Sequence, residues 1–157
     1  MNHEVTLTVN GRAHQLVVES HRTLLEVLRD ELKLFGARES CGMSLCGACT
    51  VLVDDLPVSS CSYLAARAGG RAITTIEGLA DGESLHPVQQ AFVEHGAFQC
   101  SYCTPGMILT ATSLLRENPS PSAEDVKDYM AGNLCRCGAY YEIIEAVLAA
   151  ASKVSRK

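Results

Sequence analysis

Eight cysteines are the residues of this chain best suited to chemistry, and they fall into two sets of four: Cys41, Cys46, Cys49 and Cys61, then Cys100, Cys103, Cys135 and Cys137. The opening stretch, Met1-Asn2-His3-Glu4-Val5-Thr6-Leu7, alternates polar and apolar residues. A signal peptide would instead have a basic start and an unbroken apolar stretch, so a bacterial-type cytoplasmic location is expected. The cytosol keeps thiols reduced, so eight cysteines there point to metal rather than to disulfides. Hydrophobic residues make up 47% and charged residues 20%, which is a globular composition and not a disordered one. A formal net charge of −5 without any Lys/Arg run argues against nucleic acid as a partner. No segment has the length and apolarity of a membrane span.

The spacing within each set narrows the metal. Cys41-x4-Cys46-x2-Cys49, with Cys61 twelve positions on, is the plant-type ferredoxin spacing, in which one tight loop supplies three thiolates and a nearby strand the fourth. Gly42 and Gly47 can take positive φ and bring backbone N–H groups close to inorganic sulfide, while Ser44 and Ala48 are small enough for a loop that wraps a cluster. Structural zinc is the competing reading, but zinc sites usually pair two short Cys-x-x-Cys knuckles. The second set, Cys100-x2-Cys103 and Cys135-x-Cys137, places each pair just before an expected helix. Free N–H groups and the positive end of the helix dipole there offset the negative charge of a thiolate-bound cluster. A thioredoxin-like redox pair at Cys100 and Cys103 is the competing reading, and it leaves Cys135 and Cys137 without a task. Rieske ligation is excluded, because none of His3, His14, His21, His86 and His95 has the needed spacing from a cysteine.

The elements expected to position these thiols differ between the halves. Val5, Leu7 and Val9 alternate, Asn10-Gly11 marks a two-residue hairpin, and Leu16 and Val18 lie on the return strand. Thr23-Leu24-Leu25-Glu26 is a capping-box pattern opening a helix with Leu25, Leu28 and Leu32 on one face. A cysteine-bearing loop runs from about residue 38 to 49. Strands are expected over residues 50–53 and 57–60, joined at Asp54-Asp55, and over 72–76. The second half reads as four short helices. Pro87 opens the first, with Val88, Ala91, Phe92 and His95 on one face and Gly96 as its stop. Thr104-Pro105 opens the second, with Ile108, Ala111, Thr112 and Leu115 inward, and Asn118-Pro119 ends it. Ser122 caps the third, which runs to Met130 and closes at Gly132. The fourth runs from Tyr140 to about Lys153, with Ile144, Val147, Leu148 and Ala151 inward. A linker is expected over residues 77–84, dividing the chain into domains 1–76 and 77–157.

Three stretches, Cys46-Gly47-Ala48-Cys49-Thr50-Val51, Gln99-Cys100-Ser101-Tyr102-Cys103-Thr104-Pro105-Gly106-Met107 and Gly132-Asn133-Leu134-Cys135-Arg136-Cys137-Gly138, together resemble the small subunits of the molybdenum hydroxylases, the xanthine oxidase family. Bacterial heterotrimeric members of the carbon monoxide dehydrogenase type are similar. The resemblance implies an α+β chain: a plant-type ferredoxin-like (β-grasp) domain followed by a four-helix-bundle domain, each with one [2Fe–2S] cluster. It also implies a large subunit with a molybdenum–pterin cofactor in the cytosine dinucleotide form, a medium subunit with FAD, and a dimer of heterotrimers. The Cys100 set resembles the cluster nearest molybdenum, and the Cys41 set the one nearer FAD and solvent. Gln99 matches a glutamine that bonds the pterin, and Cys137 the ligand whose sulfur approaches the pterin amino group. No role is assigned to Arg136. Ser101 stands where the family most often has glycine, and Gly138-Ala139 replaces the more usual Thr-Gly; neither removes a ligand.

The expected activity is therefore a relay of single electrons from molybdenum to FAD or another acceptor inside an oxidoreductase. No acid–base pair, nucleophile or phosphate loop suggests a substrate site in this chain, and Gly69-Gly70 is a turn. A free-standing soluble iron–sulfur carrier is the alternative, and the helical half argues against it, since a ferredoxin needs only the first half.

Overall fold

The computed structural model describes residues 1–154. Strands β1 (Asn2–Val9) and β2 (Arg12–Glu19) pair antiparallel around Asn10 and Gly11, whose φ angles of 50° and 77° make the tight turn that the Asn-Gly pair favours. After a cysteine-bearing loop come β3 (Thr50–Val53), β4 (Leu56–Ser59) and β5 (Ala72–Thr74). The sheet order is β2-β1-β5-β3-β4, with β5 parallel to β1 and antiparallel to β3. Alternation on β1 and β2 sends Leu7, Val9 and Val18 inward, where they meet Leu24, Leu28, Val51 and Ile73 in one apolar cluster.

The segment after β2 departs from the expected regular helix. Thr23 and Glu26 form the capping box, but α1 spans only Leu24–Glu26 before a wider π turn over Val27–Glu31, closed by Leu32 N–H on Val27 O at 3.2 Å. The wider turn buries Leu24, Leu25, Val27 and Leu28 together and leaves Leu32 at the edge.

The second half holds α2 (Pro87–Glu94), α3 (Thr104–Glu117), α4 (Ala123–Tyr129) and α5 (Tyr140–Val154). Helix α3 is buried all round from Pro105 to Leu115 and is the axis on which the others pack. Two expectations about faces need correcting. His95 is exposed, because α2 ends at Glu94 and His95 is only its C-cap. On α5 the buried stripe is Ile143, Ala146, Val147, Ala150 and Ala151, so Val147 and Ala151 lie inward as expected, while Ile144 and Leu148 sit at its margin. The stretch expected as a linker is also docked: Leu79 packs on the helical core beside Ile76, and Gly36 N–H donates to Glu77 Oε1 at 2.7 Å. No helix among the described residues is long and apolar enough to cross a membrane.

Candidate metal centres

The loop carrying Cys41, Cys46 and Cys49 folds back on its own first thiol. Gly42 and Gly47 both have positive φ, at 64° and 69°, and the N–H groups of Met43 and Leu45 donate to Cys41 Sγ at 3.4 and 3.3 Å. Those donors, and then the Cys46 side chain, hold the Cys41 thiol well down, at about 6. Cys49 lies at the buried end of the loop, where burial pushes its thiol up to about 11. Cys61 follows β4 and reaches back to Cys49 through both its backbone and its thiol. The four thiols therefore meet as two pairs, Cys41 with Cys46 and Cys49 with Cys61.

The second set is built on helix starts, and it also pairs two and two. Cys103 is the N-cap of α3, and Cys137 lies three residues before α5. The thiol of Cys100 meets that of Cys137, and Cys103 meets Cys135. Burial, then the neighbouring Cys135, pushes Cys103 up to about 12. Burial works against the Cys135 thiolate too, but the N–H of Ala139, the Cys103 thiol and the N–H groups of Cys137 and Gly138 outweigh it and lower that thiol. Cys135 N–H itself donates to Tyr140 Oη at 2.8 Å. Gln99 Nε2 donates to Cys137 O at 3.4 Å, so the two residues singled out for a pterin contact are neighbours. Arg136 is exposed.

Ser101, between Cys100 and Cys103, has φ of 63°, so serine occupies a left-handed position where glycine would be easier. Among the described residues no three His, Cys, Asp or Glu side chains are arranged to hold one metal ion. Thiols that meet pairwise, with Cys135 and Cys103 also near Cys100, fit a centre of two irons, each taking two thiolates.

Contacts between the sets come from residues that the motifs contain but that spacing did not assign. Asn133 is buried; its Nδ2 donates to Gly47 O at 3.1 Å and Thr50 Oγ1 at 3.3 Å, while its Oδ1 accepts from Thr110 Oγ1 at 2.9 Å. Leu134 N–H donates to Cys46 O at 2.9 Å. Gly47 and Gly106 make this approach possible: a Cβ on Gly47 would lie 2.5 Å from Asn133 Nδ2, and one on Gly106 2.3 Å from Gly47 O. Farther out, Ser113 Oγ donates to Asp55 O at 2.9 Å and Arg116 pairs with the Asp55 carboxylate.

Comparison with known proteins fits this geometry. A family model described as a 2Fe-2S iron-sulfur cluster binding domain matches residues 7–73, and one described as a [2Fe-2S] binding domain matches residues 75–148. The nicotine 6-hydroxylase small subunit of Paenarthrobacter nicotinovorans is 46% identical over 154 residues, covering 98% of this chain and 93% of its own length. The nicotinate dehydrogenase small FeS subunit of Eubacterium barkeri is 46% identical over 143 residues, which are 91% of each chain. The crystal structure of quinoline 2-oxidoreductase from Pseudomonas putida 86 superposes with a TM-score of 0.94 at 42% identity, covering 99% of this chain and 97% of that one. In the aldehyde oxidoreductase of Desulfovibrio desulfuricans, with a TM-score of 0.93 and 42% identity, the matching region is 17% of a longer polypeptide. The chain belongs to the small iron–sulfur subunits of the molybdenum hydroxylases, the electron-transfer subunits of oxidoreductases of this type.

Proposed function

We propose that Cys41, Cys46, Cys49 and Cys61 hold one [2Fe–2S] cluster and Cys100, Cys103, Cys135 and Cys137 a second, and that single electrons pass between them. The clusters would supply one-electron storage at two sites. The chain's own residues prepare the ligands. Backbone N–H groups at Cys41 and Cys135 favour the thiolate forms that ligate iron. Thr104 Oγ1, next to Cys103 in the chain, is buried without a partner among the described residues, and a sulfide acceptor would satisfy it.

The observation that carries the reading is the bond from Leu134 N–H to Cys46 O. Leu134 precedes one ligand and Cys46 is another, so a single hydrogen bond joins the two ligand-bearing backbones. Electrons would enter from a molybdenum–pterin partner at the Cys100 set, with Gln99 and Cys137 facing the pterin, and leave from the Cys41 set towards an FAD partner. Two exposed apolar areas support a partner on each side. Met43 and Leu45 are each 64% exposed on the first loop. On the helical half, Leu134 and Tyr141 border a cavity of about 510 Å³ lined largely by apolar side chains. A dimer of heterotrimers in the cytoplasm, with the cytosine dinucleotide form of the pterin, completes the proposal.

Iron and inorganic sulfide analysis of natively purified material, with sizing and identification of co-purifying chains, tests it. The expected result is about four iron and four sulfide per chain in a hetero-oligomer. Two iron per chain, stoichiometric zinc, or a fully active monomer would contradict it.

A further inference from the structure

Arg38 belongs to neither cysteine set, yet it touches the loops of both. Its backbone N–H donates at 3.2 Å to Ala48 O, between Cys46 and Cys49. Its guanidinium Nη1 donates at 2.5 Å to Ser101 O, between Cys100 and Cys103. The same guanidinium lies 5.4 Å from the centre of the Tyr102 ring, and Tyr102 Oη donates back to Glu39 O. The side chain is half-buried, and no carboxylate among the described residues forms an ion pair with it. A guanidinium in this position has lost part of its water, so its field on nearby groups is screened less than at the open surface.

We infer that Arg38 is a positioning residue that pins the Ser101 loop and places a fixed positive charge between the two clusters, raising the reduction potential of both. The proposal rests on the cluster reading above. A cluster becomes one unit more negative when it accepts an electron, so a nearby cation favours the reduced form. The effect is larger at the Cys100 set, because the guanidinium bonds that set's loop, whereas only the Arg38 backbone meets the Cys41 loop. Arginine suits this task, since its planar fork bonds a carbonyl and stacks on an aromatic ring with the same group.

The test is a redox titration of the native complex followed by paramagnetic resonance, with iron counted on every sample. About four iron per chain in the wild type secures the cluster reading independently of the outcome for Arg38. Arg38→Gln should lower both potentials, the Cys100 set's by more, and Arg38→Lys should keep both near the wild-type values. Tyr102→Phe, which removes the strap to Glu39 but no charge, should leave both unchanged. If Arg38→Gln loses the Cys100-set iron while Arg38→Lys keeps it, the need for the charge is equally supported. Unchanged potentials in a fully loaded Arg38→Gln, an equal shift in Tyr102→Phe, or loss of iron in both Arg38 variants would overturn the proposal.

Discussion

In the first half of the chain the groups that stabilise thiolate come from the ligand loop itself, with Met43 and Leu45 donating to Cys41 on a surface that carries exposed apolar side chains. In the second half the exposed Cys100 likewise takes an N–H from Tyr102 on its own loop, but Cys135, only 8% exposed, is served by the turn that opens α5, where the N–H groups of Cys137, Gly138 and Ala139 surround it. A loop can be presented outward because its donors travel with it. A helix start is fixed by the core behind it, and its donors stay in place when a partner covers the site. The same ligand chemistry is thus placed once on an outward loop and once on a built-in turn, and Asn133 and Leu134 join the two.

The largest expected effects break one region and leave the other intact. Cys49→Ser should remove the first cluster and Cys103→Ser the second, each lowering iron from about four to about two per chain. In the complex, Cys49→Ser should leave molybdenum reducible by substrate while blocking electron exit towards FAD. Next comes Gly47→Ala, which adds a Cβ 2.5 Å from Asn133 Nδ2 at a residue with φ of 69°. It should cost about 3 kcal/mol or more by forcing the two loops apart, measured by denaturant unfolding. Asn133→Ala leaves Gly47 O and the Thr50 and Thr110 hydroxyls without its amide and should cost about 2–3 kcal/mol in the same assay. Smallest is Ser101→Gly, which relieves the left-handed serine and should stabilise by about 1 kcal/mol without loss of iron. A neutral Asn133→Ala would mean that the two halves hold their loops independently.

How far these features were legible depends on the range of the forces involved. The two cysteine sets can be read from spacing alone; the Asn10-Gly11 hairpin, the Thr23/Glu26 box and the helix starts at Pro87, Thr104 and Tyr140 follow from local spacing and capping, and the structure has these elements. The face of α5 followed only for Val147 and Ala151, because Ile143-Ile144 and Val147-Leu148 are adjacent apolar pairs and period alone leaves two stripes to choose from. The α1 region also departed from pattern, since packing under the sheet favours a π turn over regular helix. Asn133 and Gly106 sit inside recognisable motifs, but their task is a contact with residues more than fifty positions away. Arg38 and Tyr102 gave no signal of spacing at all, and only the assembled loops bring them together.

The central claim is that the Cys100 set faces the pterin and the Cys41 set lies farther along the relay. It is tested most directly by the magnetic coupling between molybdenum and the clusters in partly reduced complex, measured in wild type and in Cys49→Ser. If the claim holds, the molybdenum signal keeps its strong splitting when the Cys41-set cluster is absent, and Gln99→Ala perturbs that signal with all eight ligands still occupied. Disappearance of the strong splitting in Cys49→Ser, with the Cys100-set cluster present, would reverse the order of the relay.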